Sequence, residues 1–306
     1  MASFFRFGRH LPERVLDNRE LARTLGCDPA WILQSSGIEE RRIADPGQTI
    51  ADLGVLAAQN CLKDAPPPGL ILVASGSSER RFPGPAVQIA HRLGFAGIPA
   101  IDLPIASAGS LFGVALAAQL TSVYGPVLVV AAEKMSGPAS AAPLEKNVAI
   151  IFGDGAGACL IVPESGGLQI LDSALHTDGA NSEDLRLGFT GPVEMNGMAV
   201  IRQATRRLPE VINEVLLRNR VSPAAVLAFL MHQANQNLID RVARALDVPP
   251  VRFYSNIGRY GNTSSASMLI AASEWFDSAQ LKSGDQVCFA AFGAGFHWGA
   301  LLARQS

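Results

Sequence analysis

Three polar residues stand in turns where the chain otherwise runs apolar. Ser107 lies in Ala106-Ser107-Ala108-Gly109, at the mouth of a stretch that is apolar on nearly every side through Ala118. A helix of that composition must be buried all round. Its N-terminus directs unpaired N–H groups and the positive end of the macrodipole at Ser107. The hydroxyl is therefore either a cap or a nucleophile. The dipole helps a thiol far more than a hydroxyl, so a nucleophilic serine needs a base. His232, in MHQAN, closes the apolar run VLAFLM. It is either a satisfied structural histidine or a pocket-wall imidazole. In the second role it could take a proton from Ser107 or donate one to an enolate or oxyanion. Asn262, in YGNTSSAS, is either a turn residue tolerant of a left-handed backbone or an uncharged amide aimed at a carbonyl.

Two glycine turns bear on the same chemistry. Gly153-Asp-Gly155-Ala-Gly157-Ala158 formally fits GxGxxA. A dinucleotide site needs a helix after that motif, and Ala158-Cys-Leu-Ile-Val reads as a strand. Gly293-Ala-Gly295 is too near the chain end for a βαβ unit. Its small residues suit close approach to a ligand and backbone N–H donation to an oxyanion. No GxSxG elbow is present, which counts against an α/β-hydrolase.

The elements that must position these turns follow a regular order. Helices are predicted over Asn18–Leu25, Asp28–Ser36 and Thr49–Cys61, with Asn18 and Asp28 as caps. Strands Leu70–Ala74, Ala100–Leu103 and Val127–Ala132 alternate with helices, one over Ala86–Leu93 and one after Ser107. Asn147–Val162 reads as two strands joined by a glycine-rich turn. The second half brings a strand over Leu168–Ala174, a helix over Met198–Asn219, a strand over Val226–Met231 and a helix over Leu238–Leu246. A short strand over Phe253–Asn256, a helix over Ser267–Phe276 and strands Gln286–Ala291 and Trp298–Ala303 complete it. Short apolar runs alternating with helices imply parallel strands covered on both faces. An order repeated at half the chain length implies a duplicated α/β unit, residues 1–165 and 166–306. Ligands of open α/β sheets bind beyond the carboxyl ends of strands. The turns of Ser107, His232 and Asn262 are therefore expected to face one another.

Composition narrows the setting. The 306 residues are 48% hydrophobic and 17% charged, which suits a large core, and the net charge of −2 offers no basic field for nucleic acid or an anionic membrane. Cys27, Cys61, Cys159 and Cys288 show no CxxC or metal spacing. They read as free thiols of a reducing, cytoplasmic compartment. The apolar run in MASFFRFGRHLPER is too short for a signal peptide. Leu103 to Ala132 carries no charge, but Gly125-Pro126 breaks it and Gln119, Thr121, Ser122 and Tyr124 interrupt it. It reads as core rather than a membrane span.

Eight segments, in order, carry a resemblance: AWILQSSGIEERRIA, FPGPAVQIAHRLG, DLPIASAGS, IFGDGAGA, EMNGMAV, HQAN, GNTSSAS and FGAGFHWG. Together they resemble the thiolase superfamily, specifically β-ketoacyl-acyl-carrier-protein synthase III of fatty-acid or polyketide biosynthesis. The resemblance implies a duplicated five-layer αβαβα fold, a homodimer and a buried tunnel for the pantetheine arm of coenzyme A or a carrier protein. No permanently bound cofactor or metal is implied. In that family the position of Ser107 is a cysteine that takes an acyl group from a thioester. The equivalents of His232 and Asn262 then assist decarboxylation of a malonyl thioester, and the backbone N–H groups of Ser107 and Ala294 would hold the oxyanion. Trp31, Lys146 and Asn235 would contact coenzyme A or its pantetheine. Phe82, reaching toward the partner, would line the acyl pocket with Ile105 and Phe292.

Three departures stand out. Serine replaces cysteine at 107. Ser35 stands where the family often has an arginine packing on the coenzyme A adenine. Asn237 stands where a basic residue often docks the carrier protein, a task that Arg241 and Arg244 could take over on the same helix face. The resemblance implies an acyltransferase, with decarboxylative Claisen condensation favoured by Asn262. Serine favours a Ser–His O- or N-acyltransferase of a secondary-metabolite pathway. A condensation-inactive partner subunit and a cysteine-to-serine variant are the other readings.

Overall fold

Neighbouring residues of one strand enter different cores. Leu70, Leu72 and Ala74 point into a central core, while Ile71 and Val73 point into a second core on the opposite face. Val127, Val129 and Ala131 repeat the division with Leu128, Val130 and Ala132. The same happens late in the chain, where Val287, Phe289 and Ala291 face the central core and Cys288 and Ala290 face a third. This is the two-residue period of a strand covered on both faces.

The computed structural model describes residues 2–163 and 166–306. The first half runs β1 (Ser3–His10), β2 (Arg14–Asp17), α1 (Asn18–Leu25), α2 (Pro29–Ser36), β3 (Glu40–Ile43) and α3 (Ile50–Leu62). It continues with β4 (Leu70–Ala74), α4 (Pro85–Arg92), β5 (Ala100–Leu103), α5 (Gly109–Tyr124), β6 (Val127–Lys134), α6 (Ser136–Ala139), α7 (Lys146–Ala149) and β7 (Asp154–Val162). The second half runs β8 (Leu168–Thr177), β9 (Leu185–Arg186), β10 (Glu194–Met195), α8 (Gly197–Arg218), β11 (Ala228–Met231) and α9 (Gln236–Ala245). The short α10 (Ile257–Tyr260) precedes α11 (Ser267–Phe276), β12 (Gln286–Gly293) and β13 (His297–Gln305).

The main sheet has the order β11-β12-β13-β8-β1-β7-β6-β4-β5. Read outward from its middle, each half repeats one plan: first strand, last strand, then the strands that carry the functional turns. The halves join where β1 meets β8, through Ser3 opposite Gln169 and Phe4 opposite Leu168. Helices α5 and α11 fill the central core, α3 and α4 cover one outer face, and α8 and α9 cover the other. The result is the thiolase-like five-layer arrangement. Among the described residues, no helix is long and apolar enough to cross a membrane. All four cysteines are free, with Cys61, Cys159 and Cys288 buried.

Several elements differ from expectation. Asn147–Phe152 is not a strand. It begins as the helical turn α7, and only Phe152 makes an isolated bridge, to Asn262. A short apolar run is buried in either conformation, so burial alone does not separate them. Phe253–Asn256 is likewise no strand: Phe253 makes a single bridge to Phe229, with the two rings stacked at 4.4 Å. Helix α1 is capped by Asp17, not Asn18. The Asn18 side chain turns inward instead, donating to the Ile38 carbonyl (2.6 Å) and accepting from Arg41 (2.8 Å). The run at Ser3–His10 is the central strand β1, and β2 and β3 pair across α1 and α2 as a small antiparallel sheet.

Candidate active site

Ser107 sits two residues before α5, whose N-cap is Ala108 and has no side-chain cap bond. Its hydroxyl is therefore not a helix cap. The residue holds a left-handed backbone, φ 61°, costly for a residue with a Cβ. The surroundings impose it. The Ser107 N–H donates to Ser264 Oγ (3.0 Å), and the Ala108 N–H donates to the Ala106 carbonyl (2.7 Å). Gly293 lies so close that a Cβ there would stand 2.2 Å from the Ala106 oxygen and 3.0 Å from the Ser107 Cβ. Only glycine fits against this elbow.

His232 continues β11, its N–H donating to the Ala290 carbonyl at 2.9 Å. Nδ1 lies 2.6 Å from Ser267 Oγ, which also accepts the Gln233 N–H at 3.0 Å. That contact leaves Nε2 for the cavity. Burial pushes the imidazole down to about 3, against a weaker opposing pull from a hydrogen bond to the Ser264 backbone. His232 is accordingly neutral at physiological pH.

Asn262 is fixed through its backbone to the strip before β7. Its N–H donates to Ile151 (3.0 Å), and its carbonyl accepts from Gly153 (3.1 Å). Its Oδ1 accepts the Ser264 N–H at 2.8 Å, while Nδ2 makes only a long contact of 3.5 Å to the Ala234 carbonyl. The donor end of the amide is thus the end left to meet a ligand. Beneath these turns lies Glu133, fully buried at the end of β6. Its carboxylate accepts from Gly76 N (3.0 Å), Ser265 N (3.2 Å) and Ser265 Oγ (2.7 Å). It ties the end of β4 to the turn that carries Asn262.

Ser107, His232 and Asn262 line one narrow cavity of about 90 Å³, whose remaining lining is mostly apolar. Ile151, Met195, Gly197, Ile201 and Asn235 are shared with an outer vestibule of about 850 Å³. The two form a passage from the surface to the Ser107 elbow. Gly197, Ile201, Ala204 and Leu208 of α8 form one wall. Their spacing was legible only as the inward stripe of an amphipathic helix, and a stripe does not distinguish core from tunnel wall.

The other anticipated residues divide. Phe292 lines the cavity and packs on Phe296. Ile105 is half-buried against the central core and is not part of the lining. Phe82 is 85% exposed in the single chain and lies outside its own cavity. Asn235 lines both spaces, caps α9 through its Oδ1 and donates to the Ser35 carbonyl at 2.9 Å. Trp31 packs on the small cluster between α1 and α2, and Lys146 donates to the Gly26 carbonyl at 3.2 Å; neither lines the passage. The Ser107 N–H, expected to serve an oxyanion, is engaged by Ser264 Oγ and must be released to do so. Ala294 follows Gly293 directly at the elbow. Arg241 and Arg244 are exposed on α9, and Arg241 shares a shallow groove with Arg202 of α8. Asn237 donates to the carbonyls of Gln34 and Ser35, joining α9 to α2.

The chain matches two family models. That of 3-oxoacyl-[acyl-carrier-protein] synthase III covers residues 101–179, and that of the synthase III C-terminal region covers residues 216–305. It is 36% identical to a β-ketoacyl-[acyl-carrier-protein] synthase III of Gloeobacter violaceus, over 97% of this chain and 96% of the relative. Its structure is similar to that of 3-oxoacyl-[acyl-carrier-protein] synthase III from Aquifex aeolicus, with TM-score 0.94, 32% identity and coverage of 99% and 100%. It is also similar to the priming β-ketosynthase of the R1128 polyketide pathway, with TM-score 0.91, 28% identity and coverage of 100% and 97%. Matches to both family models, and to relatives above 30% identity over nearly their whole length, place this chain in the β-ketoacyl-[acyl-carrier-protein] synthase III family.

Proposed function

We propose that this protein takes an acyl group from a pantetheine thioester onto Ser107 and passes it to the carbon of a malonyl thioester. The observation that carries this reading is the convergence of Ser107, neutral His232 and the donor end of Asn262 on one cavity. Ser107 Oγ attacks the thioester carbonyl and the pantetheine thiol leaves. The serine proton passes by way of His232 to the departing sulfur. A malonyl thioester then enters and loses carbon dioxide. Its enolate carbon attacks the seryl ester, forming the carbon–carbon bond and breaking the ester bond; the Ser107 alkoxide so released takes up a proton from water by way of His232, which restores the hydroxyl.

The electrostatics weigh the two roles of His232. Each unit by which burial lowers its pKa adds about 1.4 kcal/mol to the cost of an imidazolium. A group depressed to about 3 is a weak base and a good neutral hydrogen-bond donor. That favours the condensation step, where His232 and Asn262 donate to an enolate oxygen. It slows acylation of serine, which a cysteine would escape because thiolate needs less help. The exposed Phe82 and the edge strand β5 support a homodimer, and the ridge of Arg202, Arg241 and Arg244 supports docking of an acidic carrier protein.

The second reading, transfer to an alcohol or amine, is favoured by the hydroxyl at position 107 itself. Incubation with an acyl-pantetheine donor, a malonyl thioester and simple alcohols separates the two. A β-ketoacyl thioester with carbon dioxide release supports condensation. Ester as the only product supports the second reading.

A further inference from the structure

We infer that the acyl donor is presented as phosphopantetheine on an acidic protein, and that the nucleotide of coenzyme A adds nothing to its binding. This rests on the acyl-transfer reading of the Ser107 cavity. Whatever extends beyond pantetheine must lie in the outer vestibule, because that space continues the passage through Ile151, Met195 and Asn235. The charged residues of the vestibule lining are Glu145 and Glu194. Coenzyme A would bring a diphosphate and a ribose phosphate into this space, whereas a carrier protein brings a single phosphodiester.

Neither nearby cation, Arg186 or Lys146, lines the vestibule. Arg186 holds Glu194 at 2.6 Å and Glu183 at 2.8 Å, so its guanidinium is spent on carboxylates. Lys146 donates to the Gly26 carbonyl outside the lining. Ser35 stands at the rim, and its carbonyl is bound by the neutral amides of Asn235 and Asn237. Arg186 offsets the charge of Glu194, which leaves the carboxylate of Glu145 to work against the nucleotide, since charges separated by less than about 8 Å are poorly screened at physiological salt. The exposed cations lie beyond the rim. Arg202 and Arg241 flank the groove that Met198 and Ile201 share with the vestibule, and Arg244 follows on α9. That ridge meets the surface of a docked protein and not a nucleotide inside the passage. Such steering falls as salt rises.

The test compares one acyl group, butyryl, on pantetheine, on coenzyme A and on a bacterial holo acyl carrier protein. Acylation is followed by intact mass. Calorimetric titration of coenzyme A and of pantetheine into the Ser107→Ala protein reads binding without any acyl transfer. We expect coenzyme A to match pantetheine within about threefold, and the carrier protein to acylate at least about tenfold faster, an advantage lost between about 50 and about 500 mM salt. Ser35→Arg is expected to tighten coenzyme A about tenfold through a charge-assisted bond to phosphate, with pantetheine unchanged. Coenzyme A binding about tenfold tighter than pantetheine in the unsubstituted rim would overturn the inference, as would an unchanged ratio in Ser35→Arg. Failure of all three thioesters to acylate would count against the acyl-transfer reading alone, since the titration still decides the role of the nucleotide.

Discussion

Ser267 Oγ stands 2.6 Å from His232 Nδ1 and 3.0 Å from the Gln233 N–H. One hydroxyl at the start of α11 thereby sets the ring orientation of a histidine at the end of β11. The two elements belong to different strand–helix units of the second half, and the hydroxyl locks them together at the cavity.

Removing that hydroxyl should act mainly on the step that uses the ring. Ser267→Ala leaves Nδ1 and the Gln233 N–H without this partner, a loss on the order of 1–3 kcal/mol of stability for buried groups. The condensation rate should fall about tenfold or more as the ring loses its fixed direction. Ser267→Thr, which keeps the hydroxyl, should recover part of that rate. Rate and urea midpoint measured together separate misdirection from unfolding.

The pH dependence follows from the same burial. The imidazole of His232 is depressed in the folded protein to about 3, from an ordinary 6.5. Below 6.5 the unfolded chain binds a proton that the folded chain refuses, so stability is lost as pH falls from about 6.5 toward 3, by up to about 1.4 kcal/mol per unit. Above 6.5 this group contributes no slope. Activity should accordingly show no acid limb from His232 at pH 6.5 in rate profiles of the folded enzyme. His232→Asn should flatten the stability slope between about pH 6 and pH 4 in denaturant titrations.

The elbow makes a steric prediction. In Gly293→Ala the new Cβ would meet the Ala106 oxygen at 2.2 Å and the Ala108 N at 2.8 Å, both backbone atoms. The turn must shift. We expect a loss of about 1–3 kcal/mol in stability and a loss of at least about a hundredfold in acylation, because displacements near 1 Å carry that cost. Gly47→Ala, where a Cβ would meet nothing within 4 Å, is the control and should change neither.

Much of this arrangement was legible in the chain. Ser107, His232 and Asn262 each break an apolar strand-to-helix rhythm, and strand-end turns of an α/β protein converge. The repeated order likewise foretold the duplicated layers. Other features were not readable, for physical reasons. A left-handed Ser107 leaves no composition signal, because the glycine that permits it, Gly293, lies far away in sequence. Glu133 reads as an ordinary strand-end charge, and only the fold brings Gly76 and Ser265 to its carboxylate. The helical turn at α7 and the bridge at Phe253 show the same limit: short apolar runs are buried whichever backbone they adopt.

The most direct test of the account is the intact mass of the protein after incubation with an acyl-pantetheine thioester, beside Ser107→Cys. Acyl transfer through Ser107 requires an added acyl mass on the serine protein, mapped to the peptide that holds Ser107 and formed more slowly than on the cysteine form. An unmodified Ser107 under conditions that acylate the cysteine form would contradict it and mark a condensing enzyme disabled at one atom. An unmodified residue 107 in both forms would leave a binding subunit that kept the fold.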